Sequence, residues 1–160
     1  MLILFWRNYS SLLIGYFSLK SQQKHNRLSV KPIGKISFIT FDDSLEIRIR
    51  NDGTGPMLVS NIKVYENESD IKSNLRDVLP ILQKKNIWTE INMGSQFTIG
   101  AGEQKVLLKI SSERKTREFR DYLSQTLAAL KNITLELEYR DIYDQHIGRL
   151  KREGFQRPER

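Results

Sequence analysis

The sequence has no cysteine among its 160 residues and only two histidines. The missing cysteines exclude disulfides, thiolate chemistry and cysteine-based zinc sites. His25 and His146 are far apart and show no His-x-x-x-His spacing, so no transition-metal site is predicted. No Gly-x-Ser-x-Gly elbow and no glycine-rich phosphate loop before a helix occurs. We therefore expect no catalytic residues, no metal, no cofactor and no enzymatic activity.

Acidic residues are absent from the first 35 positions, which carry six basic residues. Residues 36–148 hold 15 basic and 17 acidic side chains, and residues 149–160 hold five basic and two acidic ones, which completes the net charge of +7. A nucleic-acid-binding domain normally carries a basic face of its own. Because the positive charge lies in the flanks, nucleic acid is not an expected partner.

The longest apolar stretch is residues 2–19, LILFWRNYSSLLIGYFSL. As a helix, 18 residues at about 1.5 Å each would span about 27 Å, close to the thickness of a thin hydrocarbon core. Arg7 interrupts this stretch near its outer end, where a long side chain can reach the headgroups. We expect residues 1–20 to form a single membrane anchor helix; a helix lying in the plane of the interface is the alternative.

Basic residues follow the apolar stretch throughout a predicted linker, residues 21–34. The positive-inside rule places the following domain in the cytoplasm, which predicts a single-pass protein of the bacterial inner membrane. The residues expected to contact lipid headgroups are Lys20, Lys24, Arg27 and Lys31.

The predicted anchor also has a face of small and polar residues, namely Asn8, Ser11, Gly15 and Ser18. Ser11 and Gly15 form a small-xxx-small pair, which lets a second helix approach closely. This face predicts self-association or a protein partner in the membrane, although amphipathic anchors show such a face by chance as well.

The remaining sequence is mainly of period two, which is typical of half-buried strands. In residues 45–50, Leu45, Ile47 and Ile49 alternate with charged side chains, and in residues 104–111 the inward positions are Val106, Leu108 and Ile110. Helical spacing predicts helices over 68–85 and 113–130, and residues 86–93 are predicted to be irregular. We expect a mainly β fold with these two helices, a two-sheet sandwich of about seven strands over 35–152, and a loose basic tail over 153–160.

Two motifs support a resemblance. The stretch His25-Asn26-Arg27-Leu28-Ser29-Val30-Lys31-Pro32 follows the apolar helix, and Asn51-Asp52-Gly53-Thr54-Gly55-Pro56 follows an alternating strand. With Tyr139–Asp144 near the last strands, the chain resembles a group of small bacterial membrane-anchored proteins. The resemblance implies an immunoglobulin-like sandwich and brings no activity and no catalytic residues.

The leading functional hypothesis is a membrane-tethered interaction module that binds a protein partner or itself. By analogy with proteins of this size and plan, it would be an accessory part of a bacterial membrane complex, anti-phage systems included. The alternative is a small-ligand sensor that regulates a membrane partner, with Trp88, Tyr122 and Tyr139 lining a pocket. These three aromatic residues can equally be core residues.

Overall fold

The structure is a computed structural model that describes residues 2–41, 43–66, 70–72, 74–80, 87–91, 96–113 and 116–154. For residues 2–11, 87–88, 90 and 146–147 it describes the backbone only. Within these ranges the chain forms two α-helices, α1 (Leu2–Ser29) and α2 (Arg117–Lys131), and nine strands: β1 (Gly34–Thr40), β2 (Ser44–Asn51), β3 (Met57–Glu66), β4 (Asp70–Lys72), β5 (Ile87–Ile91), β6 (Phe97–Ile99), β7 (Gln104–Ser112), β8 (Ile133–Arg140) and β9 (His146–Glu153).

The strands form two sheets in which every described pairing is antiparallel. The first sheet has the order β1-β2-β7-β5, and the second has the order β4-β3-β8-β9, with β6 pairing beside the beginning of β3. The two sheets enclose one hydrophobic core. The predicted mainly β architecture with two sheets is thus confirmed.

In β2 and β8, the side chains that alternation predicted to point inward are buried in the core. Leu45, Ile47 and Ile49 are fully buried, and so are Leu135 and Leu137 from the opposite sheet. Burying one such side chain stabilises the fold by about 1.5–3 kcal/mol. Period-two patterning therefore predicted these two strands correctly.

A β-bulge changes the pattern in β7. The partners of Ile47 and Arg48 are Leu108 and Val106, so Leu107 is the extra residue between them. Leu107 is fully buried, whereas Val106, predicted to point inward, is only partly buried. The inward assignment of Val106 was wrong because strict alternation does not hold across a bulge.

The helix predicted over 68–85 does not form in the described part of that segment. Asp70–Lys72 is strand β4, and Leu75–Val78 is a single 3₁₀ turn capped by Asn74. Pro80 favours extended backbone at the residue before it, and Leu79 has φ −84° and ψ 145°. Ile71, one of the apolar residues whose spacing predicted the helix, is 62% exposed. The apolar spacing was therefore misleading, and the rest of the segment lies outside the described residues.

Two further segments can be compared with their predictions. Residues 87–91, predicted to be irregular, form β5, which pairs with β7 on the side opposite to β2.

The second predicted helix is confirmed as α2, whose first turn is capped because Phe119 N donates to Thr116 Oγ1 at 3.2 Å. Its buried side chains are Phe119, Tyr122, Thr126 and Leu130.

Helix α1 continues well beyond the predicted anchor. It ends at Ser29, so most of the segment predicted as a linker (21–34) is helical and only residues 30–33 join the helix to β1. Pro32 lies three residues beyond the end of the helix, and its backbone nitrogen has no hydrogen to donate. The division of the chain into anchor, linker, sandwich and tail stays a prediction.

Candidate interaction site

The middle of α1 exposes large apolar side chains that no described part of the body covers. Each of six side chains is between 55% and 71% exposed: Leu12, Leu13, Ile14, Tyr16, Phe17 and Leu19. At 3.6 residues per turn they occupy a sector of roughly 220° around the helix. In the described residues, neither helix combines enough length with enough apolar character to cross a bilayer.

The remaining sector of α1 contains the predicted helix-packing face. Ser18 is exposed, and nothing lies within 4 Å of the position that a Cβ on Gly15 would occupy. The side chains of Asn8 and Ser11 lie outside the described ones. The face is open at its described positions, and its role in association stays a prediction.

The residues predicted to contact headgroups follow at once. Lys20, Lys24 and Arg27 are exposed and lie at intervals of four and three residues, so they share one face of α1, whereas Lys31 is exposed beyond its end. The Lys20 ammonium lies 5.3 Å from the ring centroid of Tyr16, and the Arg27 guanidinium lies 5.7 Å from that of Tyr143 in the β8–β9 turn. The Arg27 contact joins the last turn of α1 to the body.

The end of α1 is fastened to the body through Asn51, the last residue of β2. Its carboxamide is fully buried, and its Oδ1 accepts hydrogen bonds from Ile33 N at 3.1 Å and Gly53 N at 3.0 Å. Its Nδ2 donates to the carbonyls of Gly55 at 2.7 Å and Gly100 at 3.1 Å, and to a third, that of Ile99. One side chain thus ties together the segment after α1, the β2–β3 loop and the β6–β7 turn.

Two glycines allow the β2–β3 loop to lie directly on the segment after α1. A Cβ on Gly55 would overlap the carbonyl of Val30, and a Cβ on Gly53 would overlap the backbone of Lys31–Ile33. Asp52 N donates to Ile33 O at 2.7 Å, and Thr54 N donates to Lys31 O at 3.2 Å. Only glycine permits this approach of two backbones.

The two sequence motifs quoted above are therefore in contact with each other. The ten helical residues that follow Leu19, up to Ser29, extend about 15 Å and end in this clamp. We call residues 30–33 with residues 51–55 the exit clamp. It joins the segment after α1 to the β2–β3 loop by backbone and side-chain hydrogen bonds, a contact that the sequence motifs alone did not reveal.

The three predicted pocket residues lie in different surroundings. Tyr122, on α2, donates to Pro80 O at 3.5 Å, whereas Tyr139, on β8, packs beside Gly34. No described contact joins these two residues, and the side chain of Trp88 lies outside the described ones. Tyr122 and Tyr139 are both 9% exposed and belong to the core cluster, and the aromatic pocket stays a prediction.

A cavity lies instead between the outer edges of β1 and β9. It has a volume of about 330 Å³ and is lined by Gly34, Lys35, Ile36, Ser37, Phe38, Leu150, Lys151 and Arg152. We call it the edge groove. Sequence analysis missed it, because the groove depends on which strands lie at the edges, and strand order cannot be read from period-two patterning.

Charged clusters on the described surface are paired with each other. Glu46, predicted to point outward, is 5% exposed and pairs with Arg48 and, at 3.4 Å, with Lys109. Across β3, β8 and β9, Glu138 lies 3.4 Å from Lys63 Nζ and 3.0 Å from Arg149 Nε. Among the residues that the structure describes, no group of three His, Asp or Glu side chains has the geometry to hold a metal ion.

Comparison with known proteins adds no relative to this picture: no family model, no curated protein and no solved structure matches the chain. Function must therefore be inferred from the apolar sector of α1, the exit clamp and the edge groove.

Proposed function

We propose that the chain is an interaction module held at a membrane by the part of α1 that ends at Leu19, with its sandwich on the cytoplasmic side. The observation that carries the proposal is the set of six large apolar side chains of α1 that are more than half exposed. Covering them fully would contribute on the order of 10 kcal/mol, at about 1.5–3 kcal/mol for each fully buried side chain. Insertion into an apolar phase or packing against a partner helix would bury these side chains and so provide this free energy.

The distribution of charge favours a lipid surface as that environment. The exposed apolar sector is followed at once by Lys20, Lys24 and Arg27 on one helix face. Each basic residue near an anionic surface contributes about 1 kcal/mol, so the three together favour the side of the bilayer that carries anionic lipid. The same asymmetry supports placement of the sandwich in the cytoplasm.

The exit clamp supports a tether that is rigid rather than loose. Because α1 stays helical for about 15 Å beyond Leu19 and is then fixed to the β2–β3 loop, the body would stand at a defined distance from the apolar sector. A module of this kind presents the same faces of the sandwich to neighbouring proteins at all times. This arrangement suits an accessory part of a membrane complex.

The strand order supports an immunoglobulin-like module. In that fold, strands A, B, E and D form one sheet and C, F and G the other, with C′ added beside C in variable-type domains. Reading β1, β2, β7 and β5 as A, B, E and D leaves β4, β3, β8 and β9 as C′, C, F and G, with β6 as an addition. Immunoglobulin-like sandwiches use their faces, edges and loops for binding, which fits an interaction module.

Flotation of the full-length protein with lipid vesicles tests the tether. We expect the protein to float with vesicles that contain anionic lipid, and a variant with Leu13→Asn and Phe17→Asn to remain in the dense fraction. The matched control changes two exposed apolar residues of the body, Phe41→Asn and Ile71→Asn, which are 50% and 62% exposed. This control should float as the wild type does.

Two outcomes would contradict the proposal. Wild-type protein that stays in the dense fraction would show that α1 does not bind lipid, and equal flotation of both variants would show that its apolar sector is not responsible.

A variant with Gly15→Leu and Ser18→Leu tests self-association, because larger side chains would block close helix packing. Unchanged mass in analytical ultracentrifugation in neutral detergent would exclude this face as the contact.

A further inference from the structure

The β8–β9 turn displays two large apolar side chains on the surface. Ile142 is 47% exposed and Tyr143 is 46% exposed. The carboxylate of Asp141, which is 4% exposed, accepts hydrogen bonds from Tyr143 N and Gln145 N at 2.9 Å each. Because this buried carboxylate fixes the backbone of the turn, the two apolar side chains are held outside the core.

The turn lies beside the last turn of α1. The guanidinium of Arg27 is 5.7 Å from the ring centroid of Tyr143, and both side chains are exposed. A cation–π contact attracts the two groups but leaves the positive charge in place. The end of α1 and the β8–β9 turn therefore form one surface that is both apolar and basic.

This surface continues the exposed apolar sector of α1. Tyr16, Lys20 and Arg27 follow each other at intervals of four and seven residues, so they lie within about 40° of one another around the helix. Leu28, which is 59% exposed, lies eleven residues after Phe17 and about 20° from it. A lipid phase that covers the apolar sector is thus on the same side of α1 as Arg27, whose guanidinium reaches the β8–β9 turn.

The height of the turn above the bilayer depends on the tilt of α1. Arg27 is eight residues beyond Leu19, which places it about 12 Å further along the helix axis. The headgroup layer of one leaflet is about 5–8 Å deep. An upright α1 would therefore hold Tyr143 above the headgroups, whereas a lean toward this side would lower the turn onto them. Interfacial tyrosine, lysine and arginine side chains are among the contacts that set such a tilt.

The charge of this surface favours anionic lipid as its occupant. Residues 20–31 and 140–145 together contain five basic and two acidic side chains. Of the two acids, Asp144 pairs with Arg140 at 2.7 Å, and Asp141 is buried. The exposed cations of α1 therefore determine the sign of the surface, which is complementary to an anionic bilayer. Tyrosine beside apolar residues suits the boundary between headgroups and hydrocarbon.

We infer that the β8–β9 turn is a second membrane contact, in which α1 leans toward the turn and Ile142 and Tyr143 enter the headgroup boundary of an anionic bilayer beside Arg27. The inference rests on the proposed tether and adds the orientation of the body to it. The end of the sandwich that carries the exit clamp faces the lipid. The turn between β1 and β2, at the opposite end of β2, faces away from it.

Site-specific fluorescence of the full-length protein tests the contact. Since the chain has no cysteine, Ile142→Cys and Ile71→Cys each provide one site for the environment-sensitive fluorophore NBD. Ile71 is the matched control, because it is 62% exposed and β4 pairs with the end of β3 farthest from the exit clamp. With vesicles of phosphatidylcholine and phosphatidylglycerol in a three-to-one ratio, we expect NBD emission at position 142 to rise at least twofold and shift to shorter wavelength. Emission at position 71 should stay unchanged.

Paired substitutions measure how much the turn contributes to vesicle binding. Ile142→Asn with Tyr143→Asn should require at least fivefold more lipid for half-maximal flotation, because two apolar side chains no longer enter the boundary. Phe41→Asn with Ile71→Asn removes equally exposed apolar side chains from the far end of the sandwich and should change this value less than twofold. Thermal melts establish that both variants are folded, and Ile142→Asn alone replaces the first pair if it is not.

The outcomes separate this inference from the proposed function. Unchanged NBD emission at position 142 in protein that floats, or equal effects of the two paired substitutions, would refute the second contact and leave the tether standing. A response of the label at position 142 in neutral detergent, before vesicles are added, would assign the turn to a contact between copies of the chain and would also overturn the inference. Wild-type protein that fails to float would refute the tether and the second contact together.

Discussion

The two helices of this protein contain similar apolar residues but use them in opposite ways. In α2, Phe119 and Leu130 are fully buried against the sandwich, and the first turn is capped by Thr116. In α1, Leu12 and Phe17 are 71% and 65% exposed. Burial in the body therefore stabilises α2, whereas the exposed apolar side chains of α1 are not buried by the described part of the body.

The same difference appears at the points of attachment. Helix α2 packs on the core along its length, but α1 is described in contact with the body only at its C-terminal end, through Arg27 and the exit clamp. A helix that is attached only at one end is positioned by the body, but its side chains do not belong to the hydrophobic core of the body. The comparison therefore predicts that mutations in α1 and α2 separate binding from stability.

The largest contrast is expected for two phenylalanine truncations. Phe119→Ala should lower the free energy of unfolding by about 3–5 kcal/mol, because it leaves a cavity in the core. Phe17→Ala should change it by less than about 0.5 kcal/mol, because this side chain is exposed. Urea denaturation in neutral detergent measures both values, and similar losses would mean that α1 packs on the body.

The exit clamp should be the next most sensitive feature. Asn51→Ala removes a buried carboxamide and leaves several backbone groups without their partner, which should cost about 2–4 kcal/mol. The effect should reach α1, since Ile33 N is one of these groups. Hydrogen exchange should show faster exchange at residues 30–34 and an unchanged rate in α2; unaltered protection of residues 30–34 would show that Asn51 does not hold the helix.

Replacing glycine by alanine should destabilise the protein in the exit clamp but not in the exposed part of α1. Gly55→Ala places a methyl group against the Val30 carbonyl and should cost about 1–3 kcal/mol, because the two backbones must move apart. Gly15→Ala meets open space in the middle of α1 and should be neutral or slightly stabilising for that helix. Spin labels on α1 and on the sandwich should report a broader distance distribution for Gly55→Ala only, and equal distributions in the two variants would argue against a rigid clamp.

Local patterning predicted those elements in which one face of the chain is buried along its whole length. The alternation of β2 and β8 and the spacing of α2 satisfy this condition. The segment 68–85 does not: Ile71 pairs at the end of β3 and is exposed, and Asn74 and Pro80 favour a short capped turn. The helical spacing of apolar residues in this segment therefore arose by chance. Its structure is decided by pairing with β3, which the local sequence does not reveal.

The candidate sites were less predictable than the strands, since they depend on long-range pairing. The sequence indicated an apolar first helix and a glycine-rich loop, but nothing in it placed Gly55 against Val30 or linked Asn51 to the β6–β7 turn. Likewise, Lys35 and Arg152 are 117 positions apart, and they line one cavity only because β1 and β9 lie at edges of the two sheets that come together.

The smallest expected difference between the helices concerns pH. Burial raises the pKa of the Tyr122 hydroxyl on α2, and the nearby hydroxyls of Thr126 and Thr89 oppose this shift in part. The raised pKa means that the folded state keeps the proton longer than the unfolded chain, whose tyrosine pKa is about 10. The resulting stability is fully present below pH 10 and is lost as pH rises above it. Tyr122→Phe should therefore show a shallower loss of unfolding free energy above pH 10 than the wild type, whereas Phe17→Leu on the exposed part of α1, which removes no ionisable group, should retain the wild-type slope. Denaturation series between pH 8 and about pH 11 measure these slopes, and the same slope in all three proteins would show that ionisation of Tyr122 is not linked to unfolding.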